Sequence, residues 1–159
     1  HKSSRGLGDV YKRQLLMVTN STHAVAVEEA KFSAPEILRG LWPHMVMAGL
    51  FRVMPKRAGL DFVMRGQPID AKKAKEWGLI NEFVNADELD DYVKKLSEEL
   101  ASLAPGTMSF GLEAYEKQDS LAFDEALPFL QKQIAKTFEG PDEKEGIAAF
   151  LEKRKPNWD

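Results

Sequence analysis

The sequence predicts an α/β segment followed by an all-α segment, in a chain that is mostly helical. A short run rich in β-branched residues, Ala24 to Val27, falls near the beginning. A second extended piece, Leu79-Ile80 and Phe83-Val84, follows three short helical patterns. From Leu89 onward the apolar residues recur at helical spacing. Strands gathered in the first part and helices filling the second mark segregated layers. The boundary falls at residues 79–86. It divides the chain into a tail of residues 1–14, an α/β part over 15–84 and a helical part over 85–159.

The tail reads as foreign to the fold. Asp9-Val10-Tyr11-Lys12-Arg13-Gln14 can be encoded by GATGTGTATAAGAGACAG, a string that resembles the transposon end used to prepare sequencing libraries. Residues 1–14 are therefore expected to be translated adapter joined to a truncated reading frame; a natural basic tail is the alternative. The apolar run Leu15 to Val18 enters abruptly, as an element cut part-way would.

Ala24 to Val27 is expected as a buried strand, with Ala30 to Phe32 continuing or pairing with it. Ser33 to Glu36 is loop-like, because the residue before a proline is pushed out of helical geometry. Trp42-Pro43 opens a helix whose apolar residues are Met45, Ala48, Leu50, Phe51 and Met54, and Pro55 stops it. Leu60, Val63 and Met64 mark a second, ended by Gly66. Asp70 can cap a third over Ala71 to Trp77, with Gly78 as its stop. Beyond Asn85 and Asp87, either of which can cap, Leu89, Tyr92, Val93, Leu96, Leu100 and Leu103 form one amphipathic face. Pro105-Gly106 is expected to break that helix, and the next covers about Met108 to Lys117. Ser120 can cap another, with Phe123, Leu127, Leu130, Ile134 and Phe138 on its inner face and a kink at Pro128. Gly140-Pro141 precedes the last helix.

Composition removes several function classes. The 159 residues include no cysteine, which excludes disulfides, cysteine-bound zinc and thiol nucleophiles. Of the net charge of −3, residues 1–14 carry four basic and one acidic side chain; the rest has 18 basic and 24 acidic. A net-acidic body disfavours nucleic acid as a partner. No apolar run approaches the length of a membrane span, and no signal-type segment opens the chain, so a membrane is not an expected partner and a cytoplasmic location is expected.

Few residues can carry chemistry. His1, His23 and His44 lack metal-ligand spacing, so no metal is expected. No nucleophile elbow, phosphate loop or dinucleotide fingerprint occurs. Glu36 follows Pro35 among Phe32, Ala34, Ile37 and Leu38. A carboxylate in such surroundings can have a raised pKa and act as acid or base, whereas composition alone favours a surface loop glutamate. His44 either lines a pocket or stands half-exposed in a first helical turn. Phe150 and Lys153, three apart, are expected on one helix face, where an aromatic and a cation can clamp an adenine and a phosphate; a solvated helix end is the plainer reading.

Three stretches carry a resemblance: "AVAVEEAKFSAPEILRGLWP", "FVMRGQPIDAKKAKEWGLINEFV" and "KEGIAAFLEKRKPNW". In this order they resemble the strand and Pro-Glu loop, the T-G-x-x-I-x-A-x-x-A-x-x-x-G-L-V-x-x-V segment and the C-terminal signature of the enoyl-CoA hydratase/isomerase (crotonase) superfamily. The resemblance implies a spiral of ββα units, truncated here, followed by an all-α oligomerisation domain that builds trimers or hexamers. It implies an acyl-CoA substrate, with coenzyme A part of that substrate rather than a separate cofactor. Two backbone N–H groups would stabilise an enolate. Glu36 matches the later of the two hydratase glutamates, while the earlier one falls near Leu16, which cannot transfer a proton. That departure opens isomerase or lyase chemistry beside hydration. "PHMVMA" replaces a glycine-rich loop, implying an altered acyl pocket. Phe150 and Lys153 match contacts to the adenine and 3′-phosphate across a subunit boundary. Both oxyanion donors belong to the earlier part of the family pattern, so the chain is expected to be a C-terminal fragment, without turnover and prone to aggregate. A non-catalytic helical assembly or binding module is the competing expectation. A nucleic-acid binder using Lys12-Arg13 is disfavoured by the acidic body.

Overall fold

The computed structural model describes residues 14–158. The adapter reading of the tail, with its basic cluster, falls almost wholly on residues 1–13, outside the described residues; Gln14 is already helical. The chain divides into two compact units, one ending at Lys94 and one beginning at Lys95.

Among the described residues the first unit begins with helix α1, residues 14–19. Its Leu15 is buried in the core, and Thr19 Oγ1 donates back to the Leu15 carbonyl at 2.8 Å. Strand β1 (Val25–Val27) lies parallel to β4 (Glu82–Val84), with Val25 opposite Glu82 and Val27 opposite Val84. Asn81 sets this register from both sides. Its Oδ1 accepts from the Ala24 N–H at 2.7 Å, and its own N–H donates to the Ala24 carbonyl at 2.8 Å. β1 is half-buried rather than buried. Residues 30–32 neither continue nor pair with it. A turn closed by the Ala30 N–H on the Val27 carbonyl separates them, and β2 (Lys31–Phe32) pairs antiparallel with β3 (Ile69–Asp70) instead.

Between the strands lie helices α2 (His44–Val53), α3 (Lys56–Arg65) and α4 (Ala71–Glu76). Pro43 precedes α2 and Pro55 follows it, as the missing proline N–H favours. The buried stripe of α2 is Val46, Gly49 and Leu50, continued by Met54. Met45, though apolar, is 80% exposed, since it sits one position off that stripe. Met64 is exposed for the same reason, while Phe62 and Val63 beside it are buried. Gly66 ends α3 in the left-handed conformation at φ +60°. Asp70 caps α4, its Oδ1 accepting from the Lys73 N–H at 2.8 Å, and Ala71 and Ala74 face the core.

Helix α5 (Leu89–Ala101) runs across the division between the units, and none of its residues is fully buried. The second unit continues with α6 (Pro105–Asp119), α7 (Phe123–Thr137) and α8 (Pro141–Glu152), α6 packing on both others. The break expected at Pro105-Gly106 falls just before it: α5 ends at Ala101, and Pro105 opens the first turn of α6, where proline is tolerated. Ser120 does not cap α7. Its hydroxyl donates to the Lys117 carbonyl at the end of α6, and Ala122 precedes α7 with its N–H held by Glu125 at 3.3 Å. Pro128 lies inside α7.

The largest departure concerns faces. Phe123, Leu127, Ile134 and Phe138 share the expected side of α7, yet all four are exposed. The buried residues of α6, α7 and α8 are one alanine each: Ala114, Ala126 and Ala149. These helices therefore bury only small side chains fully; Phe110, Phe129 and Leu130 are half-buried and many large apolar side chains are exposed. Such a surface is what protein contacts use.

Candidate functional site

Glu36 sits on a short 3-10 turn, Pro35–Arg39. Pro35 occupies its first turn, and Gly40 ends it in the left-handed conformation. The Glu36 carbonyl accepts the Leu41 N–H at 3.0 Å, which closes the exit. The entry is held by β2 against β3, with Phe32 opposite Ile69. A third support comes from α3. A Cβ on Gly66 would stand 2.8 Å from Ile37 Cγ2 and 3.1 Å from Leu38 Cγ, so the end of α3 lies directly on this turn. Only a residue without a side chain allows that approach, and the same residue satisfies the positive φ.

The consequence is a buried acid. Glu36 is 6% exposed, whereas Leu38 and Arg39 on the same turn are exposed. The surface-loop reading that composition favours is thus overturned. A 3-10 turn aims successive side chains at about 120° intervals, and the supports described above select which of them faces inward. Burying an ionisable carboxyl is costly in general, and such groups concentrate at sites of chemistry.

The other candidates are arranged differently. His44 is the first residue of α2 and is exposed, so it lines no interior pocket; His23 is exposed beside Thr22. Among the described residues no three His, Cys, Asp or Glu side chains are grouped to hold a metal. Leu16 lies on α1 and is exposed. On α2 the Met-rich stretch begins with a contact of Trp42, whose indole N–H donates to Met47 Sδ at 3.0 Å.

Phe150 and Lys153 lie in the second unit. They do not share a helix face as expected. α8 ends at Glu152, and Lys153 follows in the left-handed conformation at φ +54°. The helix cannot extend through such a residue, so Lys153 stands beyond the last turn while Phe150, 81% exposed, projects from it. No local sequence pattern marks two residues beside them. Glu145 and Arg154 pair across the end of α8, with Arg154 Nη2 donating to Glu145 Oε2 at 3.0 Å. The Arg154 guanidinium, followed by the Asn157 backbone N–H, holds the Glu145 carboxyl down to about 2 from its ordinary 4.5. A carboxylate nine residues before an arginine is no helical spacing, so only the chain reversal at Lys153 reveals the pair.

The enoyl-CoA hydratase/isomerase family pattern matches residues 15–159. The chain belongs to the enoyl-CoA hydratase/isomerase family. The chain is 30% identical over 142 residues to the human mitochondrial enoyl-CoA hydratase domain-containing protein 3, covering 89% of this chain and 47% of that protein. Its rat counterpart is 28% identical over 142 residues, with the same shares covered. Among solved structures, an enoyl-CoA hydratase of Mycobacterium smegmatis superposes with a TM-score of 0.86 at 26% identity, over 92% of this chain and 57% of that one. The crystal structure of the human domain-containing protein 3 gives 0.83 at 29% identity, over 91% and 57%. The chain thus spans about half the length of the curated relatives it matches. Those two relatives are named as mitochondrial proteins. Among the described residues no helix is long and apolar enough to cross a membrane.

Proposed function

We propose that this family member acts on an acyl-CoA thioester through a stabilised enolate, with Glu36 as the acid–base residue. The burial of Glu36 on a turn braced from three sides carries the reading. A proton taken from the carbon beside the thioester carbonyl leaves an enolate, and Glu36 holds that proton and returns it to an acyl carbon. A carboxyl held in place within reach of the acyl chain is the group such a transfer needs. Leu16 offers no second proton carrier, so one-carboxylate isomerase or lyase chemistry is favoured over hydration by a pair of glutamates.

Phe150 and Lys153 are proposed to contact the adenine and the 3′-phosphate of coenzyme A, which arrives as part of the substrate. The exposed apolar side of α7 supports assembly into a trimer or hexamer through the second unit, here read as the oligomerisation domain of the family. A purely structural helical module is not favoured, because the family match covers the Glu36 region as well as the helices.

The test is a substrate panel. The 159-residue chain and the protein encoded by the complete reading frame would each be assayed with 2-enoyl-CoA for hydration and with 3-enoyl-CoA for isomerisation. Turnover by the complete protein and none by the chain alone is expected, because the oxyanion donors belong to the earlier part of the family pattern. An inactive complete protein would favour the assembly-module reading.

A further inference from the structure

The residues after α8 form a strap anchored at both ends. Lys153 is the one non-glycine residue with positive φ among the described residues. Its N–H bonds to the Phe150 carbonyl at 3.3 Å, and the Arg154 N–H bonds to the Ala149 carbonyl at 3.0 Å, which closes the helix end and reverses the chain. Glycine or asparagine occupies such a position at lower cost. The near anchor is Arg154. Its Nε donates to Glu152 Oε2 at 2.6 Å, and its two terminal nitrogens grip both oxygens of Glu145. Glu145 Oε1 also accepts the Asn157 N–H at 2.6 Å. The far anchor is Trp158. Its ring lies over Gly146, 3.5 Å from where a Cβ would be, and its indole N–H donates to the Ser102 carbonyl at 2.9 Å.

Two-pronged arginine–carboxylate contacts fix geometry as well as adding energy. Here they fix a surface segment whose outward products are an exposed phenyl ring and an exposed ammonium. Preorganisation of this kind improves affinity by reducing what must be ordered on binding.

We propose that Glu145, Arg154 and Trp158 are positioning residues that hold Phe150 and Lys153 as a preformed contact for the adenosine 3′-phosphate end of the substrate. The inference rests on the reading of Phe150 and Lys153 given above. The strap acts on the nucleotide end alone and leaves the proton transfer at Glu36 untouched.

The experiment compares KM and kcat for one acyl group carried on coenzyme A and on 3′-dephospho-coenzyme A. The enzyme is the complete protein, as wild type and as the Lys153→Ala, Arg154→Met and Trp158→Phe variants. In the wild type, a KM at least about tenfold lower for the coenzyme A ester is expected, a charge-assisted contact being of that size. Lys153→Ala should abolish the preference. Arg154→Met should reduce it by at least about fivefold with kcat unchanged, and Trp158→Phe, which keeps an aromatic side chain but loses the indole N–H, should reduce it less. If Arg154→Met does not fold, Trp158→Phe alone decides. A preference preserved in the strap variants, or a KM raised equally for both esters, overturns the proposal. A wild type without preference would instead refute the reading of Lys153, and the positioning role would fall with it.

Discussion

Gly66 and Ile37 meet at the point where α3 ends against the turn that carries Glu36. A Cβ on Gly66 would come within 2.8 Å of Ile37 Cγ2, closer than real side chains approach. Gly66→Ala therefore combines a steric push with a left-handed backbone that alanine adopts at a cost of about 1–2 kcal/mol. The expected total loss is about 2–5 kcal/mol, the overpacking adding about 1–3. A urea titration of wild type and variant measures it. An unchanged midpoint would show that the turn yields freely, and that Glu36 is not held as described.

Thr19 and Gly49 form a second close approach, between α1 and α2. A Cβ on Gly49 would stand 2.8 Å from Thr19 Cβ. Gly49→Ala should cost about 1–3 kcal/mol. Combining it with Thr19→Ala, which removes the hydroxyl but keeps the Cβ, should recover part of that loss, so that the two changes are not additive. Strict additivity in a double-mutant cycle would separate the two helices.

Asp70 accepts the Lys73 N–H at the start of α4. Asp70→Ala should destabilise by about 1 kcal/mol and Asp70→Ser by less, the usual size of a lost cap. Thermal unfolding distinguishes them. Equal losses from both would locate the role of Asp70 in its pairing with Lys31 across β2 and β3 instead.

Acid should release the strap. The folded Glu145 carboxyl lies at about 2, below its ordinary 4.5, because Arg154 and the Asn157 N–H favour its charged form. Its stabilising contribution is complete above the ordinary value and is lost as pH falls from about 4.5 through about 2. Glu82, lowered first by Lys75 Nζ at 2.6 Å and then by the Phe83 N–H, titrates in the same sense. The indole N–H resonance of Trp158 reports the event directly, since it bonds to Ser102 in the closed strap. It should move between pH 4.5 and 2 in the wild type and be already shifted at neutral pH in Glu145→Gln. A resonance indifferent to both would mean that Glu145 does not hold the strap.

Local backbone chemistry was readable in the sequence and long-range relations were not. Asp70, Pro55, Gly66 and Gly78 mark element ends because each acts on its own turn, and each stands where its chemistry places it. The partner of β2 was illegible, since nothing near Phe32 indicates Ile69, 37 residues on. Periodicity identified α7 but not the direction of its apolar side. A stripe of Phe123, Leu127, Ile134 and Phe138 reads identically whether it faces a core or a neighbouring molecule. Pro105 marked the break after α5 but not the start of α6 at the same place, because proline both stops and starts helices. For the candidate site, the Pro-Glu pair and the C-terminal motif located Glu36, Phe150 and Lys153, whereas composition argued for an exposed Glu36. Its burial depends on Gly66, some 30 residues away, and on a strand pairing no local pattern encodes.

The acid–base role of Glu36 is the centre of this account, and one variant tests it most directly. Glu36→Gln in the complete protein keeps the size and polarity of the side chain and removes its ability to exchange a proton. With the acyl-CoA ester that the wild type turns over fastest, kcat is expected to fall by at least about 10²-fold, with the thermal midpoint and KM nearly unchanged. A variant that retains wild-type kcat would contradict the account and leave Glu36 as a buried structural acid.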